Sequence, residues 1–420
     1  MRFFLKKIDL LQYKHLIIAS LVVGFLAALL GISLKHVTEY YEDILFNRAK
    51  GNSLYFIVFP AFGLSLIYIL RQYLFKKKEN KGIKEVFDAT SGKSKGLASY
   101  KIPSHFINGM LTVIFGGSTG VEVSTVVATA AVGSLASEKE GFLNRYKTEL
   151  ICAGIAAGVT ALFNTPLAGL LFAYEVVSRR TTIPQMLSTI LASAIAYCFV
   201  LVIDEEPLFA VHITQWHFYA LPWFIVLGVL AGINSVYLTK CVLFTKRHFS
   251  KFNSPYYKIL LGAAVISFMI LLLPQLYGEG YHAIKMSIAG ANALKLTPLV
   301  AITLGGILLL KPIITSVTLG AGGDGGVFAP GIFIGAFLGL FLAIILNTFF
   351  NAGVIPLNFT IVGMAAMLSA SIHAPFTALF LVCGLVNDYT LFIPLLIVSL
   401  VAKYTAQRIF PYTVYSFAKK

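Results

Sequence analysis

The chain has 420 residues, 58% of them hydrophobic and 12% charged, with a mean hydropathy of +0.82 and a formal net charge of +15. So much apolar surface cannot be hidden in a water-soluble core, which excludes the soluble classes and predicts an integral membrane protein. The positive balance falls in short loops and chain ends rather than in one patch, so the expected partner is a lipid bilayer and not nucleic acid.

Residues 1–15 read as a basic, amphipathic lead without a small-residue cleavage site, ahead of a full-length apolar run, so no signal peptide is predicted. Apolar runs long enough to span a bilayer, about 20 residues each, are predicted over 16–34, 54–74, 186–203, 219–243, 259–276 and 331–349. The runs at 299–310 and 391–402 are shorter or interrupted. Segments 107–136, 150–177, 317–339 and 359–385 carry Gly, Pro, Ser and Thr inside apolar sequence, a composition suited to broken half-helices that are buried in protein or line a cavity. Basic residues collect as Arg2, Lys6, Lys7 and Lys14, then Arg71 with Lys76, Lys77 and Lys78, then Arg179 and Arg180, then Lys246, Arg247 and Lys251, and finally Lys419 and Lys420. The positive-inside rule puts these, with both termini, on the cytoplasmic side of the plasma (inner) membrane.

The chain repeats itself. Gly120-Val121-Glu122-Val123-Ser124 is echoed by Gly326-Val327-Phe328-Ala329-Pro330, each after a glycine-rich stretch. Gly154-Ile155-Ala156-Ala157 through Asn164-Thr165-Pro166-Leu167 matches Gly363-Met364-Ala365-Ala366 through His373-Ala374-Pro375-Phe376 without a gap. The organisation expected is a first membrane repeat over 16–205, a connection over 206–218, a second repeat over 219–412 and a short end over 413–420. Glycine-broken helices at equivalent places in two halves point to a transport protein whose substrate sits where the broken ends converge. Helix N-termini carry unpaired amides and partial positive charge. Two of them facing each other near Gly120 and Gly326 would cage a small inorganic anion without any formal charge.

Glu122 is the sharpest single residue, because a carboxylate inside a membrane segment is costly enough to be a functional candidate by default. The alternative is a carboxylate satisfied by helix-end amides with no moving role. Lys311, before Pro312 in an apolar run, either adds positive potential to a pore or is paired at a helix end. Cys152, Cys198, Cys241 and Cys383 lack metal-ligand spacing and read as packing residues rather than a disulfide framework. His105, His212, His217, His282 and His373 share no helical spacing, and no catalytic or phosphate-loop motif is present. No enzyme activity, metal or cofactor is expected; the bound anion is the substrate.

At these motifs the chain resembles the CLC family of chloride channels and anion/proton exchangers. Residues 326–330 match that family's G-x-F-x-P signature, and Phe163-Asn164-Thr165-Pro166-Leu167-Ala168-Gly169 and Ser371-Ile372-His373-Ala374-Pro375 also look like family sequence. The resemblance implies an all-α polytopic fold of two inverted structural repeats with broken half-helices, assembled as a homodimer, and no CBS pair is expected. It implies voltage-gated chloride channel activity or proton-coupled antiport of chloride or fluoride. It makes Glu122 the external gate and places the anion near Gly120, Val121, Val327, Phe328, Ala329 and Tyr415. The family's G-S-G-I-P segment corresponds to Asn80-Lys81-Gly82-Ile83-Lys84, so Lys81 stands for the central-site serine beside Gly82 and Ile83. Two readings of Lys81 stay open: an ammonium at the anion, or one member of a solvated cluster with Lys76, Lys77, Lys78 and Lys84. Val121, Val123 and Ser124 replace the family's usual Arg, Gly and Pro. The exchangers' internal proton glutamate falls on Val176, directly after Glu175, so uncoupled, channel-like flow is expected.

Overall fold

The computed structural model describes residues 13–78, 80–94, 96–139, 143–178 and 181–417. Arg2, Lys6, Lys7, Arg179, Arg180, Lys419 and Lys420, and the lead up to residue 12, lie outside the described residues. Proline at first turns and left-handed residues at helix ends divide the apolar sequence into helices, and no strand occurs among the described residues. The first half holds α1 (Lys14–Gly51), α2 (Leu54–Ile69), α3 (Ile83–Thr90), α4 (Lys101–Ile114), α5 (Glu122–Lys139), α6 (Lys147–Phe163), α7 (Pro166–Phe172) and α8 (Ile183–Val202). The second half follows as α9 (Leu221–Phe249), α10 (Pro255–Leu272), α11 (Tyr281–Gly290), α12 (Pro298–Gly320), α13 (Phe328–Phe349), α14 (Pro356–Ile372), α15 (Pro375–Val386) and α16 (Phe392–Ile409). A last turn, α17 (Val414–Phe417), ends the described chain.

The duplication read from the sequence is thus an eight-helix unit used twice in an all-α polytopic fold. Its local chemistry repeats as well. Asn164 and His373 hold the left-handed C-caps of α6 and α14, with φ of 53° and 58°. Each is followed by an extended residue and then by Pro166 or Pro375, opening α7 or α15. Helices α7 and α15 pack on each other, as do α2 and α10, so the halves meet through counterpart elements.

Without water to drive association, membrane helices approach through small residues. Gly133 of α5 lies against the Leu150 carbonyl of α6, and Gly154 of α6 against the Thr129 carbonyl of α5. The second half repeats this contact, with Gly335 of α13 and Gly363 of α14 each facing the other's carbonyl oxygen. Every residue of α14 from Asn358 to Ile372 is buried, so these central helices form the scaffold and the others shield it.

Two runs expected to be short are full-length helices, α12 with 23 residues and α16 with 18. The polar break at Lys311-Pro312 does not end α12, because the Lys311 ammonium donates to the carbonyls of Leu276 and Gly278 at 3.3 and 3.1 Å. A buried charge with partners no longer forces a helix end to water. Among the described residues, nine helical stretches are long and apolar enough to cross a membrane.

Replacing Gly363 by Leu should separate α13 from α14 and destabilise the fold by about 1–3 kcal/mol or more, the range for overpacked cores. Thermal unfolding in detergent measures this as a lower midpoint. The same change at Gly290, where no atom lies within 4 Å of the added carbon, should be tolerated.

Candidate functional site

The two glycine pentapeptides touch. Gly120 and Gly326 form an antiparallel bridge, in which the Gly120 amide donates to the Gly326 carbonyl at 3.2 Å and the Gly326 amide donates back at 3.0 Å. Side chains would prevent it. A Cβ at Gly325, whose φ is 136°, would lie 2.6 Å from the Thr119 hydroxyl and 2.9 Å from the Gly120 carbonyl oxygen. The bridge brings together the start of α5 at Glu122 and the start of α13 at Phe328. The first-turn amides of both helices, including those of Glu122, Val123, Phe328 and Ala329, have no acceptor within their own helix.

Glu122 occupies this junction. It is 3% exposed. Its Oε1 accepts a hydrogen bond from the Tyr281 hydroxyl at 2.6 Å, and its Oε2 has no partner. The carboxylate lies over the bare Cα of Gly120 and beside Ala329, so any side chain at 120 would evict it. The carboxylate therefore fills the space where the two tips would hold an anion.

Three of the amides assigned to the anion by resemblance already have acceptors. The Gly120 amide is used by the bridge. The Val121 amide donates to Glu279 Oε1 at 2.8 Å, and the Val327 amide to the Tyr415 hydroxyl oxygen at 3.2 Å. An N–H group at this depth has no water to satisfy it, so the chain supplies an acceptor. Because the Tyr415 oxygen accepts from Val327, its own O–H hydrogen remains to be donated elsewhere. The Tyr415 ring lies near that of Phe328, with centroids 6.3 Å apart.

On the other side of the tips, a cavity of about 60 Å³ is lined by Gly82, Ile83, Val123, Val327 and Tyr415, with Lys81, Lys84 and Lys246 at its edge. Gly82, with φ of 62°, is the N-cap of α3, so a third helix start borders the same space. Lys81 is exposed and also borders a wider, more open cavity of about 450 Å³ with Lys78, Glu85, Asp88 and Lys101. It therefore borders both cavities. Pairing of Lys81 with Glu122 does not occur, since Glu122 bonds Tyr281.

Val176 is 6% exposed in a π-helical turn that continues α7, with an apolar side chain where the resemblance puts a proton acceptor. Its neighbour Glu175 has a structural task. Oε2 accepts from the Thr377 amide and hydroxyl at 2.8 and 2.7 Å, capping the first turn of α15 in the other repeat. Lys311 is fully buried, away from the small cavity, with its ammonium 4.3 Å from the Phe333 ring centroid. Pairing rather than a pore-lining role is what the structure gives it.

Two acids escaped the sequence reading. Asp324, in the glycine-rich approach to α13, accepts from Asn80 Nδ2 at 2.6 Å and lies 3.2 Å from His105 Nδ1 and 3.6 Å from Arg71 Nη2. It ties the α13 tip to α2 and α4. Glu279 sits between Gly278 and Gly280 in apolar surroundings, the same signal that singled out Glu122, and it holds the Val121 amide.

Residues 62–407 match the family model described as voltage gated chloride channel. The chain is 28% identical to the H(+)/Cl(-) exchange transporter ClcA of Vibrio cholerae serotype O1, covering 94% of this chain and 87% of that protein. It is 25% identical to the voltage-gated ClC-type chloride channel ClcB of Salmonella typhimurium, covering 93% and 95%. The fold is similar to that of a slow cyanobacterial Cl−/H+ antiporter (TM-score 0.82, 22% identity, 96% of each chain). It is also similar to that of a CLC-type fluoride/proton antiporter (TM-score 0.79, 23% identity, 96% of this chain and 98% of the other).

Glu175→Ala should leave the Thr377 amide without its cap and lower stability by about 1–2 kcal/mol, read as a lower unfolding midpoint in detergent. Glu175→Gln keeps an acceptor oxygen and should recover most of the loss.

Proposed function

We propose that this chain, which belongs to the voltage gated chloride channel family, moves chloride or another small inorganic anion such as fluoride across the membrane, with Glu122 as its gate. It is a transport protein and not an enzyme. The observation that carries this reading is the Glu122 carboxylate lodged between two facing helix starts with one oxygen unpartnered. A negative group in that place competes with a permeant anion for the same amides. Protonation removes its charge and with it the advantage over the anion, so the side chain yields the space.

Amides of Glu122, Phe328 and Ala329 supply positive potential without trapping the ion in a full charge. The Tyr415 hydroxyl, already accepting from Val327, turns its hydrogen to the cavity that Gly82 and Ile83 share. Lys81, Lys84 and Lys246 raise the local anion concentration at that mouth. The basic mouth faces the cytoplasm of the plasma membrane, with both termini on that side, and the protein works as a homodimer with one pathway per subunit. These last assignments rest on the basic loops and the family resemblance.

Flow is passive, channel-like and uncoupled from protons, with voltage acting on the gate through the field. Val176 carries no proton and Glu175 is committed to Thr377. A second reading, proton-coupled anion antiport by another inner route, is favoured by the similarity to the Vibrio relative, a H(+)/Cl(-) exchange transporter.

Purified protein in liposomes with an imposed anion gradient and simultaneous anion and proton recording separates the two. Passive flow predicts anion movement with no protons driven against their own gradient; a fixed proton-to-anion ratio would establish antiport instead. In the same assay Glu122→Gln should give anion flux that no longer varies with pH. A wild-type pH profile in that variant would remove Glu122 as the gate.

A further inference from the structure

We propose that Glu279 is a second carboxylate of the gate: tied to Glu42 and Lys311, it sets the proton concentration at which Glu122 leaves the two helix tips. The inference rests on the reading of Glu122 as the gate. Glu279 is 3% exposed at membrane depth, where a carboxylate is costly unless it has a task. Its Oε1 takes the Val121 amide, the group immediately before Glu122, at 2.8 Å. Two residues on, Tyr281 donates to Glu122 itself at 2.6 Å. One short segment therefore holds the tip of α5 with two side chains. Its backbone is bent for that purpose, with φ of 54° at Gly278 and 91° at Gly280.

Behind Glu279 stands a second layer. The Glu279 amide donates to Glu42 Oε1 at 3.2 Å, and the Glu42 carboxylate lies against the bare Cα of Gly278. The Lys311 ammonium, bonded to the Gly278 carbonyl at 3.1 Å, lies close enough to both acids for its charge to act on them. Charges on Glu122, Glu42 and Glu39 reach Glu279 in turn. Tyr277 contributes a hydroxyl committed to the Ile114 carbonyl at 2.6 Å. Asp43 and His282 stand at the exposed edge.

Glu279 and Glu42 thus share the Lys311 ammonium, and the charge on Glu122 reaches Glu279. Like charges a few ångströms apart in a weakly polarisable interior repel strongly, so the charge on any one acid depends on the others. The group also has a route to solvent. A cavity of about 20 Å³, room for about one water, lies between Glu42, Gln275, Gly280 and His282. Protons reaching Glu42 from this side would bias Glu279, and Glu279 would bias the gate.

The test is anion flux into liposomes as a function of pH on the Glu42 side, each curve scaled to its own acidic plateau. Glu279→Gln removes a negative neighbour, so Glu122 sheds its proton more readily and the curve should move to lower pH. Near neutral pH the scaled flux of Glu279→Gln should fall by about tenfold against the wild type, as for one unit charge at short range. Glu42→Gln, at a half-buried position where the amide oxygen can still accept from the Glu279 N–H, should shift the curve in the same direction as Glu279→Gln, and it carries the test if the Glu279 variant does not fold. Curves for Glu279→Gln and Glu42→Gln that overlay the wild type would overturn the inference and leave Glu279 as a cap on Val121. Failure of the gate reading looks different: Glu122→Gln would then keep the wild-type pH profile.

Discussion

The structure depends on one constraint, that a backbone amide at membrane depth must find an acceptor where there is no water. The approach of Gly120 to Gly326 concentrates this demand, because it places two helix starts and their unpaired amides side by side. The chain meets part of the demand with fixed groups, Glu279 for Val121 and the Tyr415 oxygen for Val327. It meets another part with Glu122, a group that can be charged or neutral. What remains is a place that favours a negative ion without binding it permanently.

Around that junction the formal charges are sorted by side. Lys81, Lys84 and Lys246 border the cavity lined by Tyr415, whereas Glu279 and Glu42 lie behind Glu122 with Lys311 acting on both. On the proposed reading, an anion between the tips would meet attraction on one side and titratable repulsion on the other. A barrier of that kind responds to protons, whereas a ring of fixed cations would only deepen a well. Asp324, anchored by Asn80, His105 and Arg71, keeps the α13 tip from drifting relative to α5. In the proposed function Glu122 would then move against a tip that stays in place.

Much of this was legible in the residue order. Composition excluded a soluble protein, the matching segments at 154–167 and 363–376 disclosed the repeat, and a lone acid inside an apolar stretch marked Glu122. The interrupted run at 299–310 misled, because apolar periodicity treats Lys311 as an end, whereas its carbonyl partners lie in the segment around Gly278. The amides of Val121 and Val327 were assigned to the anion by resemblance alone, which does not disclose their partners. Their acceptors, Glu279 and Tyr415, are 158 and 88 residues away in the chain.

What the sequence by itself determined is the set of elements and their pairing into halves, since proline, glycine and left-handed Asn164 and His373 act through local backbone energetics. Only the tertiary structure decided which buried acid meets which donor, that Glu122 lies between the tips bonded to Tyr281, and that Glu175 caps α15. Hydrogen bonds across distant segments depend on how helices are docked. Docking is governed by close carbonyl contacts at glycines such as Gly335 and Gly363, which leave no mark in the sequence beyond the absence of a side chain.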